Sequence, residues 1–319
     1  MTHLRNLVSI DGVQVRVVAD TLIDNAQRGA AVARAQRSSD DIEAAVTADD
    51  VDVVMICTPT TTHAQLIELA VQSGKAVWCE KPVAPTLEAT RRVLAGVEAS
   101  RQPVMIGFMR RFDPGYAAAK RAIEAGEVGT IERFRSLTCD HHLPPVSYIA
   151  TSGGIFVDML VHDIDLARFL VGEIAEVTAI GSVMIDKGYG EVGDVDTAMA
   201  LLRFESGALG ILEASRRTTW AYDIRTEVAG SQAKLVIEGV QKTPLISSAN
   251  LGSRIDHYEG FPERFDAAYR NEMHYFFECL RQGSMPSPDV KEALETLRVA
   301  LAATLSLKEG RPVKVSEIA

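Results

Sequence analysis

The chain has 319 residues, 47% hydrophobic and 24% charged, an ordinary globular balance and enough length for two domains. A formal net charge of −10 argues against nucleic acid and anionic membrane surfaces as partners. No apolar stretch reaches the roughly 18 residues of a membrane span, no secretory leader is visible at Met1, and four scattered cysteines without a Cys-x-x-Cys read as reduced thiols of a cytoplasmic protein.

The first third alternates strand-like and helix-like segments. Residues 13–19 are β-branched and strand-like, and 24–37 are Ala-rich and helical. Residues 51–57 form a continuous apolar run, the pattern of a strand buried on both faces. A helix over 63–73 ends at Gly74, a strand covers 76–79, a helix 86–100 and a strand 103–108. This alternation predicts a parallel sheet with helices on both faces. After a helix over 116–124 the character changes. Strands over 131–139, 177–185, 197–204, 209–215, 224–228 and 234–238, with Glu205-Ser206-Gly207 as a hairpin turn, predict a large, mostly antiparallel sheet. A helix over 155–171 lies on one face of it, and helices over 264–281 and 290–308 close the chain. Segments 140–151 and 250–262 read as long loops that border a site.

In the 155–171 helix, Asp158, His162 and Asp165 are spaced four and three apart and share one face. Most other positions there are apolar, and charge buried among them is costly unless paired or used. Upstream, Glu80-Lys81-Pro82 follows the apolar run at 76–79. A Lys, an Asp and a His brought together point to proton transfer. A core helix with a satisfied His and paired carboxylates is an equal alternative on these residues alone. His141-His142 lacks the spacing of metal ligands, and no metal site is expected.

Taken in order, Glu80-Lys81-Pro82, Gly153-Gly154 and Asp158-x-x-x-His162 with Asp165 resemble the signature of the glucose–fructose oxidoreductase/inositol dehydrogenase family (Gfo/Idh/MocA). The resemblance covers nearly the whole chain. The run from Phe108-Met109-Arg110-Arg111-Phe112 to Tyr116, and Pro262-Glu263-Arg264-Phe265 through Tyr269 and Glu272, are most similar to the inositol dehydrogenase branch. The resemblance implies a Rossmann-type α/β dinucleotide domain over 1–107. It also implies an α+β substrate and oligomerisation domain over 108–319, whose last helix is able to pack back on the first domain. It implies NAD as cofactor and oxidation of a cyclic polyol, myo-inositol to its 2-keto product. Another inositol isomer or an aldose as substrate is the near alternative. A redox-assisted glycoside hydrolase and a non-catalytic binding protein that kept the fold are others. A homo-oligomer, a tetramer, is also implied, since a sheet covered on one face leaves the other to bury.

The same resemblance assigns catalytic roles to Lys81, Asp158 and His162. An imidazole titrates near neutral pH and suits the base. A lysine ammonium stabilises an alkoxide-like oxygen, and Asp158 fixes the imidazole or holds the hydroxyl. Asp20, at the end of a strand, is placed to accept hydrogen bonds from the adenosine ribose and would repel a 2′-phosphate, favouring NAD over NADP. A turn role for Asp20 stays open. Thr58, Pro59, Thr60 and His63 follow a buried strand and open a helix, and by resemblance line the cofactor's phosphate–ribose edge; a plain helix cap is compatible with that. Glu80 and Lys81 sit at a strand C-terminus, where open α/β sheets bind ligands. Arg110, His142, Asp165, Tyr222 and Tyr269 are candidate substrate contacts. For Arg110-Arg111 a surface or interface pair, and for Tyr222 an aromatic packed in the sheet, remain equal readings. The sequence has no strand followed by G-x-G-x-x-G. Residues 2–7 resemble the interior of the helix that follows such a loop. The expectation is therefore a start placed inside the first βα unit, with dinucleotide binding weakened by loss of the loop N–H groups.

Overall fold

The computed structural model describes residues 1–239 and 241–319. They form two compact units, the first of residues 1–112 and 267–295, the second of residues 113–266 and 296–319.

The first unit is α/β, with helices α1 (Thr2–Val8), α2 (Ile23–Ala33), α3 (Ile42–Thr47), α4 (Thr60–Gln72) and α5 (Leu87–Ser100). Strand β1 (Val17–Ala19) pairs in parallel with β2 (Arg37–Ser39). Strands β3 (Val53–Ile56), β4 (Ala76–Glu80) and β5 (Val104–Gly107) form a second parallel sheet in that order. β4 is central, and Ala76, Val77, Trp78 and Cys79 are all buried, which is why it reads as an unbroken apolar run. The core gathers Trp78 and Met105 with Leu7 and Ile10, and with Met273, Phe276 and Phe277 from the helix Asp266–Gln282.

That cluster accounts for a departure from the expected boundary at 107/108. The helix carries an apolar stripe that the parallel sheet buries, so residues 267–295 group with the first unit, which runs to 112. The Ala-rich helix is also shorter than expected. It stops at Ala33, Arg34 turns left-handed (φ 52), and Arg37–Ser39 pairs with β1. Arg37 is held there by hydrogen bonds of 2.7 and 2.6 Å to Asp50. Strand pairing here overrides helix propensity.

The second unit carries a seven-stranded sheet. Its members are β6 (Ile131–Cys139), β7 (Ile174–Ser182), β8 (Thr197–Phe204), β9 (Leu209–Ser215), β10 (Asp223–Gly230), β11 (Lys234–Ile237) and the short C-terminal strand Val313–Lys314. The order is β11-β10-β6-β9-β8-β7 and then the C-terminal strand, antiparallel throughout except for β6 with β9. One face is covered: Ala198, Ala200, Leu202 and Phe204 of β8 are buried while Met199 and Leu201 are exposed. Helices α6 (Pro114–Glu124), α7 (Val146–Ser152), α8 (Ile155–Asp158), α9 (Val161–Leu170) and α10 (Lys187–Glu191) belong to this unit.

Three expectations fail in this unit. Segment 140–151 is not all loop, since α7 occupies Val146–Ser152. The helix expected over 155–171 is two helices, because the Leu160 N–H reaches back five residues to the Ile155 carbonyl at 2.9 Å and widens the turn. Asp158 therefore ends α8, while His162 and Asp165 lie on α9. Segment 250–262 is not a plain loop either. Residues Gly252–His257 pair antiparallel with Gln241–Ala249 as a hairpin. Its strands bury almost nothing, so they carry no alternation of polar and apolar residues to read. Pro244, which cannot donate to the ladder, lies within the register irregularity between Gln241 and Ile246.

Candidate active site

In the first unit the candidate residues collect at the C-terminal ends of parallel strands. Asp20 follows β1, Thr58 and Pro59 lie between β3 and α4, Thr60 opens α4, and Glu80 and Lys81 end and follow β4. Asp20 Oδ1 accepts the Leu22 N–H at 2.9 Å and an Asn25 amide N–H at 3.3 Å, so this acid does build the turn into α2. The Thr58 and Thr62 hydroxyls are 2.7 Å apart. Pro59 is the residue before α4, and Thr60 is its first residue.

His63 lies in the first turn of α4. It is buried, with Nδ1 2.8 Å from the Pro82 carbonyl and Nε2 2.8 Å from the Thr58 carbonyl. Both ring nitrogens are engaged by backbone, so His63 braces the two strand-end loops. Glu80 Oε1 lies 2.9 Å from His3 Nε2, and the His3 ring tilts over Trp78 at 4.5 Å and meets Tyr269 edge-on at 5.4 Å. Lys81 is half-buried, and its peptide bond to Pro82 is cis. Arg110 and Arg111 are both buried, and Arg111 pairs with Glu292 at 3.0 Å, which removes the surface-pair reading.

In the second unit Asp158 is held on both oxygens. Oδ1 accepts the Tyr148 hydroxyl at 2.7 Å and Oδ2 accepts Arg216 Nη1 at 3.0 Å. Burial, then the Asp158 charge and hydrogen bond, push the Tyr148 hydroxyl well above its ordinary range against the opposing pull of Arg216, so it stays a donor. His162 lies in the first turn of α9, half-buried, and Asp165 is buried three residues on. Asp163 between them is wholly buried and faces β6, accepting Ser136 Oγ at 2.5 Å and Thr138 Oγ1 at 2.7 Å. His142 is exposed beside His141, their rings 4.6 Å apart. Tyr222 is buried with its ring edge-on to Phe265 at 6.5 Å, in keeping with the packed-aromatic reading. Tyr148, Arg216 and Asp194 gather at Asp158 only in the folded chain, since no spacing in the sequence links them to it.

The donor set of the first unit fits a dinucleotide. A carboxylate at one strand end, threonine hydroxyls at a second and Glu80–Lys81 at a third suit ribose diols, and open α/β sheets bind ligands at these ends. A family model described as an oxidoreductase family with an NAD-binding Rossmann fold matches residues 1–108. A second, described as a GFO/IDH/MocA C-terminal domain, matches residues 116–236. Scyllo-inositol 2-dehydrogenase (NAD(+)) of Bacillus subtilis strain 168 is 37% identical over 315 residues, 98% of this chain and 92% of that protein. Inositol 2-dehydrogenase of Rhizobium meliloti strain 1021 is 40% identical over 282 residues, 88% of this chain and 84% of that protein. A crystal structure of scyllo-inositol dehydrogenase from Lactobacillus casei, with bound NAD(H) and scyllo-inositol, matches with a TM-score of 0.91 at 27% identity, covering 99% of this chain and 95% of that one.

Proposed function

The chain belongs to the GFO/IDH/MocA oxidoreductase family with its NAD-binding Rossmann fold, and from that premise we propose that it oxidises a cyclic polyol, myo-inositol, to the 2-keto inositol. The observation that carries this reading is Asp158, a fixed carboxylate just ahead of His162, in a chain related along most of its length to inositol dehydrogenases.

When bound, NAD supplies the hydride acceptor. Asp20, Thr58, Pro59, Thr60, Glu80 and Lys81 would hold it, and the carboxylate of Asp20 would repel a 2′-phosphate. His162 removes the proton of the reacting hydroxyl. Lys81 places its ammonium at the oxygen that gains negative charge. Asp158 orients His162. Arg110, His142, Asp165 and Tyr269 contact the remaining hydroxyls; a polyol site needs several such partners, and leaving one unpaired rejects the wrong stereoisomer. Tyr222, whose ring packs edge-on against Phe265, joins this set through its hydroxyl.

The same reading makes the protein a cytoplasmic homotetramer. Its four cysteines are free, and Ile180 and Met199, paired across β7 and β8, are 66% and 44% exposed on the uncovered face of the sheet. Absorbance at the NADH band, followed with a panel of inositols and aldoses, tests the activity. NADH formation with myo-inositol supports it; none with any polyol overturns it. Equilibrium sedimentation giving only monomer would remove the tetramer.

A further inference from the structure

We propose that Arg216 and Tyr148 are positioning residues for the reaction. They clamp the Asp158 carboxylate from two sides, so that it acts through a fixed charge and direction on His162. The inference rests on the role given to Asp158 above.

Arg216 is a fully buried guanidinium placed between two carboxylates. Its Nη1 is 3.0 Å from Asp158 Oδ2 and its Nη2 is 3.3 Å from Asp194 Oδ2. Asp194 in turn accepts, through Oδ1, the N–H of Ile155 at 3.1 Å. One guanidinium therefore ties both ends of α8, Ile155 through Asp194 and Asp158 directly. A buried charge is costly unless paired, and the planar fork of an arginine can serve two acids where a lysine ammonium cannot keep that geometry. The Gly153-Gly154 pair acquires a reason here. Both have left-handed φ, +87° and +89°, and a Cβ on Gly154 would come within 3.3 Å of Asp194 Oδ1.

Tyr148 closes the clamp from the other side. It lies on α7, is 47% exposed, and donates to Asp158 Oδ1 at 2.7 Å. The segment leading into α7 is fixed to the same centre. Tyr189 donates its hydroxyl to the Pro144 carbonyl at 2.6 Å, and the Arg216 guanidinium lies 6.0 Å from the Tyr189 ring centre. The path from Pro144 through Tyr148, Asp158, Arg216 and Tyr189 returns to Pro144, so neither carboxylate oxygen can swing without breaking a contact.

The test is a double-mutant cycle on inositol oxidation by the full chain. Arg216→Lys is expected to lower kcat about 10²-fold by displacing Asp158, and Tyr148→Phe about tenfold by removing one charge-assisted hydrogen bond. KM changes little in both. In an Asp158→Asn background neither substitution lowers kcat further, because both act through that carboxylate. Losses that multiply in the double variants overturn the proposal. So does a lowered thermal midpoint with kcat unchanged, the mark of a purely structural role. Tyr148→Phe removes only a hydroxyl from a half-exposed ring, so the cycle stands even where Arg216→Lys impairs folding. Undiminished turnover by Asp158→Asn is a separate result: it removes Asp158 from the mechanism and overturns the underlying reading along with this one.

Discussion

The imidazole of His63 stands 2.8 Å from the carbonyl of Pro82, and its second nitrogen stands 2.8 Å from the carbonyl of Thr58. A neutral imidazole has one N–H and can donate to only one of them at a time. The ring joins the loop after β3 to the loop after β4, which carries Lys81. His63→Phe keeps the volume and removes both partners. The expected loss is about 2 kcal/mol of unfolding free energy, read from urea denaturation. An unchanged midpoint would contradict the brace.

His162→Ala is expected to lower kcat by about 10²–10⁴-fold, the usual worth of a positioned general base. Lys81→Ala is expected to lose at least as much, since it removes positive charge where an oxygen gains electrons. Both are measured as NADH formation with myo-inositol. Near-normal turnover by either variant defeats its assignment.

Gly107 in β5 touches the indole of Trp78. A Cβ built there would lie 2.7 Å from the ring and 3.3 Å from Glu80 Oε2. Trp78 is fully buried and has nowhere to move. Gly107→Ala therefore overpacks the core beside the Glu80–Lys81 strand end, at an expected cost of about 1–3 kcal/mol. Thermal unfolding followed by tryptophan fluorescence measures it.

Burial pushes the Cys139 thiol up to about 12, with Asp223 adding to the effect, and burial raises Cys79 well above its ordinary value. A thiol raised in the folded state favours folding below its unfolded value. That contribution fades as pH climbs from the ordinary range toward about 12 in the case of Cys139. At pH 8 almost no thiolate exists at either site, and iodoacetamide should leave both unmodified until urea is added. Peptide mass mapping reads the result; rapid modification of folded protein at Cys139 would contradict its burial.

Parallel strand β4 was legible because burial on both faces prints an unbroken apolar run, Ala76 to Cys79, whereas β2, Arg37–Ser39, has no apolar residue and was not. Strand β8 was legible for the opposite reason, its alternation between covered and open faces. The hairpin pairing Ile246 with Ile255 was not, since exposed strands leave no periodic trace. Of the site, the helical spacing picked out Asp158 and His162. It missed the break at Met159 and Leu160, which is a matter of backbone geometry with no proline or glycine to announce it. It also passed over Asp163, whose hydroxyl partners come from Ser136 and Thr138 on β6. Arg216 lies 58 residues beyond Asp158 and only the folded chain brings them together.

Strand β6 sits between β9 and β10, and both neighbours come later in the chain. During synthesis it leaves the ribosome with neither edge matched and waits for residues 209–230 to follow. At about 5–20 residues per second that delay lasts several seconds. Until then its apolar side chains, Phe134 among them, lack the strand neighbours between which they are later buried.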